Sequence, residues 1–109
     1  MNNEIEVGEW IRTEDGQISK NNSNYNWDLK ETYINDSPVV KHSKNIIDLI
    51  EVGDYVNGWK VLAKTKIKNN EMQVCILTCF EDEHWITINN ETLKTIVTKE
   101  SFKEKEYVF

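Results

Sequence analysis

The sequence predicts a mainly β protein: a small antiparallel SH3-like barrel or sandwich with two short helices, one domain spanning residues 1–109. Three observations carry that expectation. Runs of alternating or β-branched residues recur at roughly 8–12-residue spacing with turn signals between them. Two of those turns, Asp15-Gly16 and Asn57-Gly58, supply the positive φ that a tight hairpin asks for. The length suits one ordinary domain, and four Trp, four Tyr and three Phe in a 39% hydrophobic chain are enough for one compact core.

Taken in order, residues 5–12 (IEVGEWIR) open a strand, TEDG at 13–16 turns it, and QISK returns. Residues 21–26 (NNSNYN) form the most polar stretch and read as a loop or mobile hairpin tip, because Asn and Ser compete with backbone ladders. WDLKETYI (27–34) reads as one strand with Trp27, Leu29, Glu31 and Tyr33 on one face. NDSP then turns the chain, with Pro38 as its stop.

The following run, VVKHSKNIIDLIEVGDYV, carries the first helical signal. Asn45 can cap it, Asp48 sits at its positive end, and four aliphatics in Ile46–Ile50 fit a single turn buried on most sides. Strands resume with WKVLAKTKI, whose alternation puts lysines on the wet face. MQVCILTCF is a central strand, EDEH a turn and WITI a further strand. After NNE come a long strand LKTIV, a second helical turn begun by Thr98 with Glu100 in its first turn, and a terminal strand EYVF.

One pattern repeats. EVGEWI starts at residue 6 and EVGDYV at residue 51. Each precedes a tight turn, and the expectation is one hairpin device used twice: Gly within the strand, the acid toward solvent, the aromatic and β-branched residues packing the sheet.

The chemistry-bearing residues are sparse. His42 and His84 are the only histidines, and His42-Ser43 are chain neighbours without an acid in a third role. Glu81-Asp82-Glu83-His84 reads as a solvated turn, since its spacing matches no known metal site. Cys75 and Cys79, four residues apart on a strand, lie about 13 Å apart on one face, beyond disulfide reach. No phosphate loop or dinucleotide fingerprint is present. The expectation is a protein with no enzymatic activity, no catalytic residue, no metal and no cofactor.

The net charge of −6, with Arg12 the only arginine, argues against direct nucleic-acid binding, which needs clustered cations. An acidic chain can instead meet a basic protein surface, including the nucleic-acid groove of another protein. No apolar run nears the ~20 residues that span a bilayer, and the N-terminus lacks the features of a secretory signal. The expected setting is the cytosol, with no membrane partner and unglycosylated sequons at Asn21, Asn35 and Asn90. Among the tryptophans, Trp10 and Trp27 have polar neighbours and are expected to be the more exposed. The candidate partner-binding residues are Trp10, Asn24, Tyr25, Trp27, Asp28, Glu31, Glu81, Asp82 and Glu83.

VGEWIRTEDGQISK (7–20), VVKHSKNIIDLIEVGDYVNG (39–58), LKTIVTKESF (93–102) and EYVF (106–109) resemble, in the same order, a family of small proteins encoded by phages and prophages of low-GC Gram-positive bacteria. The blocks cover roughly half of the chain. The resemblance implies a mobile-element origin and carries over no catalytic residue. By analogy it implies an inhibitor that binds a host defence nuclease, foremost a CRISPR effector, at or near its nucleic-acid groove. The alternative it leaves is a small-barrel adaptor or regulator in phage replication, transcription or assembly. The segments outside the blocks, NYNWDLKETYIN and AKTKIKNNEMQVCILTCFEDEHWITINN, would carry partner specificity.

Overall fold

A computed structural model describes residues 4–78, 80–100 and 106–109. The protein is mainly β, with 51% of it in strands and 4% helical; its sheets are antiparallel, and one curls as a half barrel. The chain separates into two compact units, Met1–Leu49 and Ile50–Phe109.

In the first unit, β1 (Glu4–Ile5) pairs with β4 (Trp27–Asp28) as a short ribbon. A four-stranded sheet has the order β3-β2-β6-β5, built from β2 (Trp10–Thr13), β3 (Ile18–Lys20), β5 (Tyr33–Ile34) and β6 (Ser37–Ser43). A 3₁₀ turn, Ile46–Leu49, follows. Its Ile46, Ile47 and Leu49 are buried with Ile5, Ile11 and Ile18, matching the single buried turn expected. The turn starts at a polar clasp: Ser43 Oγ accepts from Asn45 N at 3.1 Å and donates to Asp48 Oδ2 at 2.6 Å.

The second unit is one six-stranded sheet. Its order is β10 (Glu83–Asn89), β9 (Glu71–Leu77), β8 (Trp59–Lys68), β7 (Tyr55–Val56), β11 (Thr95–Val97), β12 (Tyr107–Val108). Asn57 (φ 51°) and Gly58 (φ 86°) make the two-residue turn between β7 and β8, as their sequence demands. Asn57 also fixes the sheet's far side: its Oδ1 accepts from Lys94 and Thr95 N, and its Nδ2 donates to Thr92 O. β9 is central and buries Met72, Val74, Cys75 and Ile76; EYVF does supply the terminal strand.

Several local expectations fail for identifiable reasons. WDLKETYI is not one strand. Asp28 Oδ1 accepts from Lys30 N and Asp28 O accepts from Thr32 Oγ1, so an Asx-type turn splits the segment into β4 and β5. Asn35 and Asp36, both at positive φ, form a two-residue hairpin turn, and Pro38 continues β6 rather than stopping the chain. Residues 39–43 belong to that strand and not to the helical run. The alternation of β8 breaks at irregularities between Val61 and Ala63 and between Lys66 and Lys68, leaving Ile67 exposed. LKTIV gives only Thr95–Val97 as strand. The second helical turn falls mainly on residues 101–105, and Cys79 is position 79; both lie outside the described residues.

The repeated hexapeptide is a structural duplicate, with two corrections: its acid is buried, not solvated, and its glycine lies in a turn ahead of the strand rather than within it. Glu9 N donates to Glu6 O at 3.1 Å, and Asp54 N donates to Glu51 O at 3.1 Å, closing the same four-residue turn. Gly8 (φ 87°) and Gly53 (φ 99°) hold its third position, and β2 and β7 start only after it. The acid's side chain turns back on its own loop: Glu9 Oε2 accepts from Glu6 N at 2.6 Å, and Asp54 Oδ2 accepts from Glu51 N at 2.8 Å. Both turns dock on the returning chain by the same pair of backbone bonds. Gly8 N donates to Asn21 O and Asn21 N to Glu9 O; Gly53 N donates to Val61 O and Val61 N to Asp54 O. Ile11 and Val56 then enter the core fully buried.

Alanine at either glycine must adopt a φ that L-residues avoid. A Cβ on Gly8 meets nothing within 4 Å, and one on Gly53 meets the Lys99 side chain at an ordinary 3.4 Å. Backbone strain therefore sets the cost at both places. Gly8→Ala and Gly53→Ala are each expected to lose about 1–2 kcal/mol, read from urea unfolding midpoints.

Candidate protein-interaction surfaces

The polar loop at residues 21–26 is ordered around one buried side chain. Asn21 is fully buried; its Nδ2 donates to Ile5 O and Tyr25 O, and its Oδ1 accepts from Ser23 N and Ser23 Oγ. Asn26 Oδ1 accepts from Val7 N. The loop delivers Tyr25 and Trp27 to one side of the first unit, and the Asx turn and Asn35-Asp36 hairpin bring Tyr33 and Ile34 to them. Tyr25, Trp27, Glu31, Thr32, Tyr33 and Ile34 line a shallow cleft of about 350 Å³. Tyr25 and Tyr33 are exposed, while Trp27 is half-buried.

The structure thus gathers three of the candidate residues, Tyr25, Trp27 and Glu31, around one cleft. Asp28 forms the turn at its side, exposed and opposite Glu4 in register. Trp10 and Asn24 do not line it. Trp10 is half-buried on β2 with the Lys20 Nζ 5.1 Å from its ring centroid, a cation–π contact. Asn24 stands exposed on the loop. The more exposed indoles are instead Trp59 and Trp85, so the expectation about Trp10 and Trp27 is reversed.

The second surface is the turn between β9 and β10 with the first residues of β10, since Glu83, His84 and Trp85 already pair with β9 and the expected turn at 81–84 is shorter than its sequence suggests. Thr78 organises it: its N donates to Asp82 O at 2.8 Å, its O accepts from Glu81 N, and its Oγ1 accepts from Phe80 N and Asp82 N. Glu81 occupies the left-handed position with φ 63°. Phe80 is 83% exposed and Trp85 56% exposed, and the four polar residues between them are exposed as well. Six consecutive residues therefore present three carboxylates, an imidazole and two aromatic rings to solvent. Phe80, Trp85 and Tyr33 lie in segments singled out from sequence but were not among the candidate residues. The available signal was an aromatic beside acids in a turn.

The groups that suggest chemistry have structural duties. His42 Nδ1 lies 3.0 Å from Glu9 Oε2, within the first repeated turn, and Ser43 bonds Asp48 rather than His42. Thr13 Oγ1, at 2.6 Å, and Gln17 Nε2 hold the Asp15 carboxyl below its ordinary range by hydrogen bonding, in the tight turn the sequence predicts. Among the described residues no three His, Cys, Asp or Glu side chains group to hold a metal ion, and no helix is long and apolar enough to cross a membrane. No protein-family model matches the chain, and no curated protein or solved structure matches it either.

Proposed function

We propose that this protein is a non-enzymatic, phage-encoded inhibitor that binds a host defence nuclease, foremost a CRISPR effector, and occupies its nucleic-acid groove. The observation that carries the reading is the exposed segment Phe80–Trp85, which runs from the turn into β10. A groove built for single-stranded nucleic acid pairs a cationic track with platforms on which bases stack. Three exposed carboxylates flanked by two exposed rings offer such a groove both of its usual contacts, carboxylate for phosphate and ring for base. The chain's charge of −6 favours the same encounter over long range. The resemblance of the 39–58 block to phage proteins supports a host-defence target, and the host cytosol is the setting this reading requires.

The test is charge reversal in that segment. Glu81→Lys, Asp82→Lys and Glu83→Lys together are expected to weaken binding to the purified effector by about a hundredfold or more, with a shallower salt dependence. Phe80→Ala is expected to cost about tenfold without changing the salt dependence. All four substitutions are on exposed side chains, so the folded state persists. Unchanged affinity in the triple variant contradicts the reading.

A further inference from the structure

We infer that the cleft of the first unit is a receptor for a proline-rich segment in the polyproline II conformation that carries a neighbouring arginine or lysine. Three features of the cleft point to that ligand. The first is its lining: Tyr25, Trp27 and Tyr33 supply aromatic walls, with Ile34 beside them. Proline-rich segments dock in shallow aromatic-lined grooves, because their rings stack there and their conformation is already ordered before binding. A cleft of about 350 Å³ that is shallow rather than enclosed suits an extended chain better than a compact small molecule.

The second feature is its supply of donors. The Trp27 indole N–H and the Tyr25 and Tyr33 hydroxyls make no hydrogen bond with the described residues. A polyproline II chain has no internal hydrogen bonds, so its carbonyls seek donors, and the indole is a donor only. Donors set among apolar rings match that need.

The third feature is charge. The Glu31 carboxylate lines the cleft and has no partner among the described residues. Lys30 is the only cation in residues 21–36. An arginine next to the prolines can pair with Glu31 in a fork, and that sets the orientation in which the segment lies.

The experiment is a titration of the ¹⁵N-labelled full chain with a panel of synthetic proline-rich peptides bearing arginine at one end or the other. The expected result is binding on the order of tens of micromolar, with shifted resonances concentrated in residues 25–34. Replacing the peptide's prolines by alanine should abolish it. Replacing its arginine by glutamate should weaken it about tenfold. Tyr33→Ala and Tyr25→Ala, both exposed and outside the core, are expected to lose at least about tenfold. Glu31→Gln should weaken the arginine peptide and leave a neutral proline-rich peptide unchanged. Absence of binding across the panel overturns the inference, as does equal binding of the alanine peptide. A dimer in sedimentation that Tyr33→Asp dissociates also overturns it, because the cleft's occupant would then be a second copy of the chain. No nuclease enters this titration, so its outcome is separate from that of the inhibition assay.

Discussion

Arg12→Ala is expected to destabilise the first unit by about 3–5 kcal/mol, the combined cost of a lost charge-assisted hydrogen bond and a core cavity. Arg12 is the chain's only arginine and is fully buried on β2. Its Nη1 donates to Leu49 O at 2.8 Å, which ties the strand to the last carbonyl of the 3₁₀ turn. That carbonyl belongs to a helix end whose orphan acceptors need a donor. Alanine removes the donor and leaves a cavity as well. Arg12→Met keeps most of the volume and loses the polar contacts, so it is expected to cost less, about 1–3 kcal/mol. Arg12→Lys keeps the charge but not the planar fork, and is expected to fall between the two. Urea unfolding of the three variants, with amide exchange at Ile46–Leu49 as the local readout, checks the order.

Asp54→Ala carries the second large effect. Asp54 is fully buried, and its two oxygens have separate duties: Oδ2 accepts from Glu51 N at 2.8 Å, and Oδ1 accepts from Lys99 N at 2.9 Å. Alanine strands both amide donors, for an expected loss of about 2–4 kcal/mol. Asparagine does not rescue the site, because one of its two polar atoms is a donor and would face another donor. Glu9→Ala in the first copy of the turn is expected to cost less, about 1–3 kcal/mol. There the carboxylate serves one backbone amide, and its other contact is the His42 ring, which is partly exposed. If the two acids were solvated, as their sequence context suggests, both variants would be near neutral. Unfolding midpoints separate the two cases.

What could be read from the sequence was the chemistry that acts locally. Asn57-Gly58 fixes its hairpin by backbone preference alone, and Ile46–Ile50 cannot be solvated as a run, so the buried turn was legible. The class of fold followed from such turns. What was not legible depended on partners far along the chain. β6 was hidden because Val39–Ser43 runs into the helical pattern, and only pairing with β2 and β5 reveals it as a strand. WDLKETYI alternates well enough to mask the Asp28 turn. The buried acid of the repeat cannot be told from a surface acid until its bond to the amide three residues earlier is counted.

The candidate surfaces show the same division. Tyr25, Trp27 and Glu31 were identifiable as aromatic and acidic residues in a polar segment. That they share a cleft with Tyr33 depends on two turns, at Asp28 and at Asn35-Asp36, which bring the flanking residues together. Trp10 drew attention for its polar setting, yet it is half-buried on β2, and Lys20 Nζ lies over its ring. Trp85 lacked such neighbours on only one side and is the more exposed. Exposure of an indole is set by the sheet it stands on rather than by the polarity of the residues beside it in sequence.

The proposed role stands or falls on competition for one groove. The direct measurement is binding of the protein to a purified CRISPR effector from a low-GC Gram-positive host, before and after the effector is loaded with its nucleic acid, together with cleavage at rising molar ratio. The predicted result is tight binding to the unloaded effector, little or none to the loaded one, and loss of cleavage near equimolar protein. Equal binding to both forms, or cleavage undiminished at about tenfold excess over the effector, would contradict groove occupation by the Phe80–Trp85 segment.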